Sequence, residues 1–124
     1  MKTACYNCVE SAKLLLERDD INVNIRDRDG WTALHYACYE ESLEVVELLL
    51  ERDDINPNLQ NNSGKTALSE AADSNGIIRC VKLLLERDDI NVNIPDMDGR
   101  TALHYACSRG SLEIESLLRA AGAI

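Results

Sequence analysis

The sequence predicts an all-α solenoid in which short helix–turn–helix units stand side by side. Three observations carry that expectation. The phrase LLLERDDINVNI runs from Leu14 to Ile25 and again from Leu83 to Ile94, with LLLERDDINPNL from Leu48 to Leu59 between them. TALHYAC runs from Thr32 to Cys38 and from Thr101 to Cys107, with TALSEAA from Thr66 to Ala72, so the Thr recurs in steps of 34 and 35 residues. Turn dipeptides precede each Thr, at Asp29-Gly30, Ser63-Gly64 and Asp98-Gly99. Self-similarity at one fixed period of this size is the mark of stacked repeats.

Each element follows from local chemistry. Thr32, Thr66 and Thr101 stand where an N-cap hydroxyl satisfies free backbone donors. A short first helix follows, from Ala33 to about Tyr39 in the best-formed unit. The second helix carries Leu43, Val45, Val46, Leu48, Leu49 and Leu50, apolar around most of its circumference, and must be covered on more than one side. Ile55-Asn56-Pro57-Asn58-Leu59 alternates apolar residues with Asn, as a short extended arm would, and its Pro forbids helix. One such unit cannot bury its own faces, so stacking on neighbours is required. The expected organisation is one domain, 1–124, with a partial unit at 1–26 and units at 27–60, 61–95 and 96–124.

Gly30-Trp31-Thr32-Ala33-Leu34-His35-Tyr36-Ala37 and Gly99-Arg100-Thr101-Ala102-Leu103-His104-Tyr105-Ala106 resemble the ankyrin signature T-P-L-H-x-A, with Ala where Pro is usual. Leu43-Glu44-Val45-Val46-Glu47-Leu48-Leu49 resembles that family's second helix, and the resemblance covers essentially the whole chain. The linkers around Arg52 to Asn56 are one residue longer than usual. The 61–95 unit has a further residue near Ser74-Asn75-Gly76 and Ser69 in place of the signature His, so it is expected to be the least regular.

The two ends differ. Glu115 and Arg119 take the phases of Val46 and Leu50, four residues apart on one helical face, which reads as a polar C-terminal cap. The first unit begins inside its first helix without a Gly-x-Thr turn. It is read as incomplete, with an apolar face through which two copies could stack.

The chain has 124 residues and a formal charge of −9. That balance repels nucleic acid and anionic membranes. No stretch approaches the ~20 apolar residues that cross a bilayer. Five cysteines and no secretory leader point to free thiols in a reducing compartment, cytoplasm or nucleus. No cofactor, metal or catalytic site is expected. Gly64-Lys65-Thr66 lacks the earlier Gly of a phosphate loop, since position 59 is Leu. Asp27-Arg28-Asp29-Gly30 lacks the later calcium ligands, Trp31 and Cys38 standing at those places. Cys5-x-x-Cys8 has no second pair. Cys38 and Cys107 share a phase with Ala72 and read as small core fillers. His35 and His104 repeat at one structural phase, and the resemblance implies bonding to the Thr turn. The Glu-Arg-Asp-Asp runs read as solvated loops, with an electrostatic docking stripe as the alternative, and the sequon Asn61-Asn62-Ser63 is idle without a secretory route.

The resemblance implies a non-enzymatic scaffold or adaptor that grips an unidentified protein in a concave groove of turn tips and first helices. The alternative is a self-associating fragment that stacks through its incomplete first unit; the monomer is the expected state. The candidate partner-binding positions at the tips are Arg28, Asp29, Trp31, Asn62, Lys65, Met97, Asp98 and Arg100. Those near the first-helix ends are Tyr39, Glu40, Asp73, Ser108 and Arg109. These positions vary among units while the scaffold letters repeat. Trp31 and Tyr39 have no aromatic counterpart elsewhere and make the best anchors. Tyr36 and Tyr105 share one phase and serve either packing or binding.

Overall fold

The computed structural model describes residues 22–73 and 78–124. Six helices lie in them as three pairs. These are α1 (Ala33–Tyr39) with α2 (Leu43–Leu50), α3 (Ala67–Asp73) with α4 (Ile78–Leu85), and α5 (Ala102–Arg109) with α6 (Leu112–Ala120). No strand occurs among the described residues. The partial unit, its Cys5-x-x-Cys8 pair and its apolar stacking face lie outside them, apart from residues 22–26. The extra residue expected near Ser74-Asn75-Gly76 also lies outside them.

The helices start where the hydroxyls predict. Thr32 has extended backbone, and its Oγ1 accepts from the His35 N–H at 3.3 Å. Thr66 Oγ1 accepts from the Ser69 N–H at 3.2 Å. Packing then runs in two parallel rows, α1 on α3 on α5 and α2 on α4 on α6. Leu34 and Leu68 fill the first row, and Val46, Leu49, Val81, Leu84, Ile114 and Leu118 fill the second. Leu43, Val45 and Leu50 pack partly buried around α2, which explains why that helix is apolar on several sides. Truncating any fully buried Leu to Ala would cost about 2–5 kcal/mol.

The extended arm predicted for Ile55 to Leu59 is corrected. Ile55 and Pro57 are buried as the alternation requires, but the chain turns at residues 57–58. The reason is the pair of Asn side chains. Asn56 Oδ1 accepts from the Asn58 N–H at 3.0 Å and closes the turn. Asn58 then reaches the next unit, donating to the Asp89 carbonyl and accepting from the Asn91 N–H, both at 2.8 Å. Asn24 does the same to Asp54 and Asn56, at 2.8 Å each. At the far end Asn93 holds Gly122 and Ile124.

The Glu-Arg-Asp-Asp runs are more than solvated loops. Arg52 and Arg87 fold onto Asp54 and Asp89 at 2.9 Å. Arg87 Nη1 also donates to the Leu50 carbonyl at 2.6 Å, capping the helix of the preceding unit.

The polar end is as expected, with Arg119 Nε 3.1 Å from Glu115 Oε2. One core filler is not. Cys38 is fully buried, whereas Cys107, at the same phase, is exposed. Among the described residues α5 packs on α3 and α6, and no further first helix covers its outer side.

At the tips, the Asn62 N–H donates to the Asp29 carbonyl and the Met97 N–H to the Ser63 carbonyl, each at 3.0 Å. This close approach explains the turn glycines. A Cβ on Gly64, φ +81°, would lie 2.7 Å from the Met97 nitrogen, whereas one on Gly99, φ +78°, meets nothing within 4 Å. Both positions charge a side chain about 1 kcal/mol of left-handed strain. Only Gly64 adds a backbone clash. Gly64→Ala should therefore lower the urea midpoint clearly more than Gly99→Ala.

Candidate functional site

The face built from turn tips and first helices begins with the Asp27 turn. Asp27 Oδ1 accepts from the N–H groups of Asp29 and Trp31, each at 2.9 Å, and Oδ2 accepts from the Tyr36 hydroxyl. That hydrogen bond, with burial and neighbouring acids, pushes Tyr36 up to about 12. The half-buried Tyr36 ring lies 4.9 Å from that of Trp31. Trp31 also lies 5.6 Å from His35 and 5.6 Å from Tyr39, edge to face. The indole thus runs along one turn of α1 and ends at Tyr39, which is 46% exposed.

His35 joins two units. The Thr32 N–H can only donate, so Nδ1, 3.2 Å away, accepts. The Lys65 carbonyl can only accept, so Nε2, 2.9 Å away, carries the proton. The ring is therefore a neutral Nε2–H tautomer bridging the 27–60 and 61–95 units, the first and second full units, with 96–124 the third. His104 makes the same Nδ1 contact, with the Thr101 N–H at 3.0 Å, but is exposed. Equal phase gives unequal jobs: among the described residues His35 reaches the following turn at the Lys65 carbonyl, and His104 meets no such carbonyl.

The second unit inverts the turn chemistry. Asn61 and Glu70 replace Asp and Tyr, and Asn61 Nδ2 donates to Glu70 Oε2 at 3.1 Å. Lys65 Nζ meets Glu70 at 3.3 Å and Asp73 at 3.1 Å, and sits 4.6 Å over the Tyr105 ring. Burial opposes the Lys65 charge, but Glu70 and Asp73 outweigh it and raise its pKa. Arg109 Nε reaches Asp73 at 3.0 Å, so this network ties the second unit to the third. Burial likewise opposes the Asp73 charge, and Lys65 and Arg109 outweigh it and lower that pKa.

Of the predicted positions, the structure brings Trp31 to Tyr39, and Lys65 to Asp73 and Arg109. Asn62 is exposed, but its Nδ2 holds the Arg28 carbonyl at 3.1 Å. Arg28, Asp29, Asp98 and Arg100 are exposed on the tips, Met97 is 78% exposed, and Glu40 is half-buried. Ser108 lies at the far end, in a recess with Leu103, His104 and Cys107. The reading missed Asn61 and Glu70, although their joint departure from Asp and Tyr was visible in register. Buried Asn61 also excludes the sequon as a surface feature.

Cys38 and Cys80 are buried against each other, and that contact with burial holds the Cys38 thiol well above the usual range. Among the described residues no group of three His, Cys, Asp or Glu side chains is arranged for a metal ion. No helix among them is long and apolar enough to cross a membrane.

The sequence model of the family described as ankyrin repeats (3 copies) matches residues 1–61 and again residues 53–123. With two rows of stacked helices between turn tips, the chain belongs to the ankyrin-repeat family. Ankyrin repeats are generally protein–protein interaction modules and typically non-catalytic. Comparison with curated proteins gives no match.

Burial holds His35 below its ordinary value of 6.5. The unfolded chain takes up a proton near that pH while the folded chain resists. The stabilisation is therefore present above pH 6.5 and is lost as pH falls below it. Urea unfolding should show a lower midpoint at about pH 5.5 than at about pH 7.5. In His35→Gln, which keeps a capping-box acceptor without titrating, the difference should shrink.

Proposed function

We propose that this chain is a protein-binding module, a scaffold or adaptor that grips a partner protein on the face of turn tips and first helices. The Trp31–Tyr39 contact carries this reading. A large aromatic surface stays partly open at the edge of a rigid helix row, where it costs little conformational entropy to dock against. On the same row of tips, exposed Arg28 is replaced by Asn62 and Met97 at its phase, and Trp31 by Lys65 and Arg100, while buried Leu34, Leu68 and Leu103 repeat. A face spanning three tips suits an interface of about 800 Å² per partner. The charge of −9 favours protein over nucleic acid or an anionic bilayer as the partner. Free thiols suit a reducing cytoplasm or nucleus.

Trp31→Ala/Tyr39→Ala should reduce capture of the partner from source cells at least tenfold, since a central aromatic anchor contributes about 2 kcal/mol or more. The helical melting curve by circular dichroism should keep its cooperativity. Undiminished capture would remove this face from consideration.

A further inference from the structure

The first and second units differ in how their acids are answered. In the second, Glu70 and Asp73 are met by Lys65, and Asp73 also by Arg109. In the first, Asp29, Glu40 and Glu41 have no ion pair among the described residues. All three lie within two residues, along the chain, of a ring of the aromatic patch. Asp29 stands two residues before Trp31, and Glu40 and Glu41 directly follow Tyr39. Asp29 and Glu40 also contribute, behind the Asp27 hydrogen bond and burial, to the rise of Tyr36 to about 12, so their field is felt at these rings. Arg26 and Arg28 are the basic residues of the same turn, and with Asp27 included the acids still outnumber them two to one.

The chain already satisfies an equivalent arrangement elsewhere. Lys65 of the second unit lies over the Tyr105 ring of the third while pairing with two carboxylates. No cation lies over Trp31 or Tyr39 among the described residues. An open aromatic face beside unanswered carboxylates attracts a cation through the ring quadrupole and through charge together. A guanidinium fits best, since it is planar, stacks on rings and bonds carboxylates in pairs.

We propose that the partner presents a basic segment whose arginine lies against Tyr39 and Trp31 and pairs with Glu40 and Glu41. This rests on the binding reading above and assigns the partner's chemistry at one corner of the face. The acidic side of the chain supplies the attraction, and the aromatic pair supplies the place.

Trp31 is the single tryptophan, so its emission reports on this corner. The test titrates the chain with a nonapeptide of alternating Arg and Ser, and with its Glu–Ser counterpart, at about 0.15 M salt. The arginine peptide should change Trp31 emission saturably and the glutamate peptide should not. Glu40→Gln/Glu41→Gln should weaken the arginine peptide about tenfold. Glu51→Gln/Asp88→Asn removes as much charge from the loops after the second helices, and should shift binding by less than about twofold. A silent Trp31, an equal response to the glutamate peptide, or equal losses in the two double variants would overturn the assignment. If the peptide test fails while Trp31→Ala/Tyr39→Ala still abolishes partner capture, the cation assignment falls and the binding face stands. If both fail, both fall.

Discussion

At each described junction one unit satisfies backbone groups of its neighbour, and the rest of the structure depends on that hand-off. Asn24 and Asn58 each clamp a carbonyl and an N–H of the following unit at 2.8 Å. The tips exchange a further hydrogen bond per junction. Each such bond contributes about 0.5–1.5 kcal/mol net. The helices are seven to nine residues long, too short to persist alone in water. Stability therefore belongs to the junctions more than to the units.

The two junctions are made differently. Between the first and second units, a neutral imidazole donates to a backbone carbonyl beneath the Trp31 ring. Between the second and third, Ser69 replaces the imidazole, and a serine hydroxyl is too short to span the gap. Its oxygen stays within its own unit, 3.2 Å from that of Thr66. Arg109 of the third unit instead pairs with Asp73 of the second. Lys65 adds a cation over Tyr105. Burial screens the first junction from salt but leaves it sensitive to acid through His35, while the Arg109–Asp73 pair is partly exposed and contributes little on its own.

This division shapes the functional face. Charges that hold the second and third units together are spent inside the chain and offer little to a partner. The first unit needs no such network, because His35 already bridges it to the second. Its acids and aromatic rings stay open, which makes it the corner with most left to offer.

Much of this was legible in the letters. The period, the Gly turns, the Thr caps and the paired helices are local or periodic features, set within four residues or by one repeat length. The Glu115–Arg119 pair was equally readable, being one helical turn apart. Trp31 and Tyr39 stood out as unmatched aromatics, though nothing in the letters showed that the rings touch. What sequence could not assign was the fate of identical letters. His35 is buried and bridging while His104 is exposed, and Cys38 is core while Cys107 is surface. Asn58 read as part of an extended arm and Arg87 as a solvated loop residue, yet each spans to a neighbouring unit. The reason is physical. These roles are decided by what lies about thirty residues away on the adjoining unit, and the same phrase at two places in a stack has different neighbours.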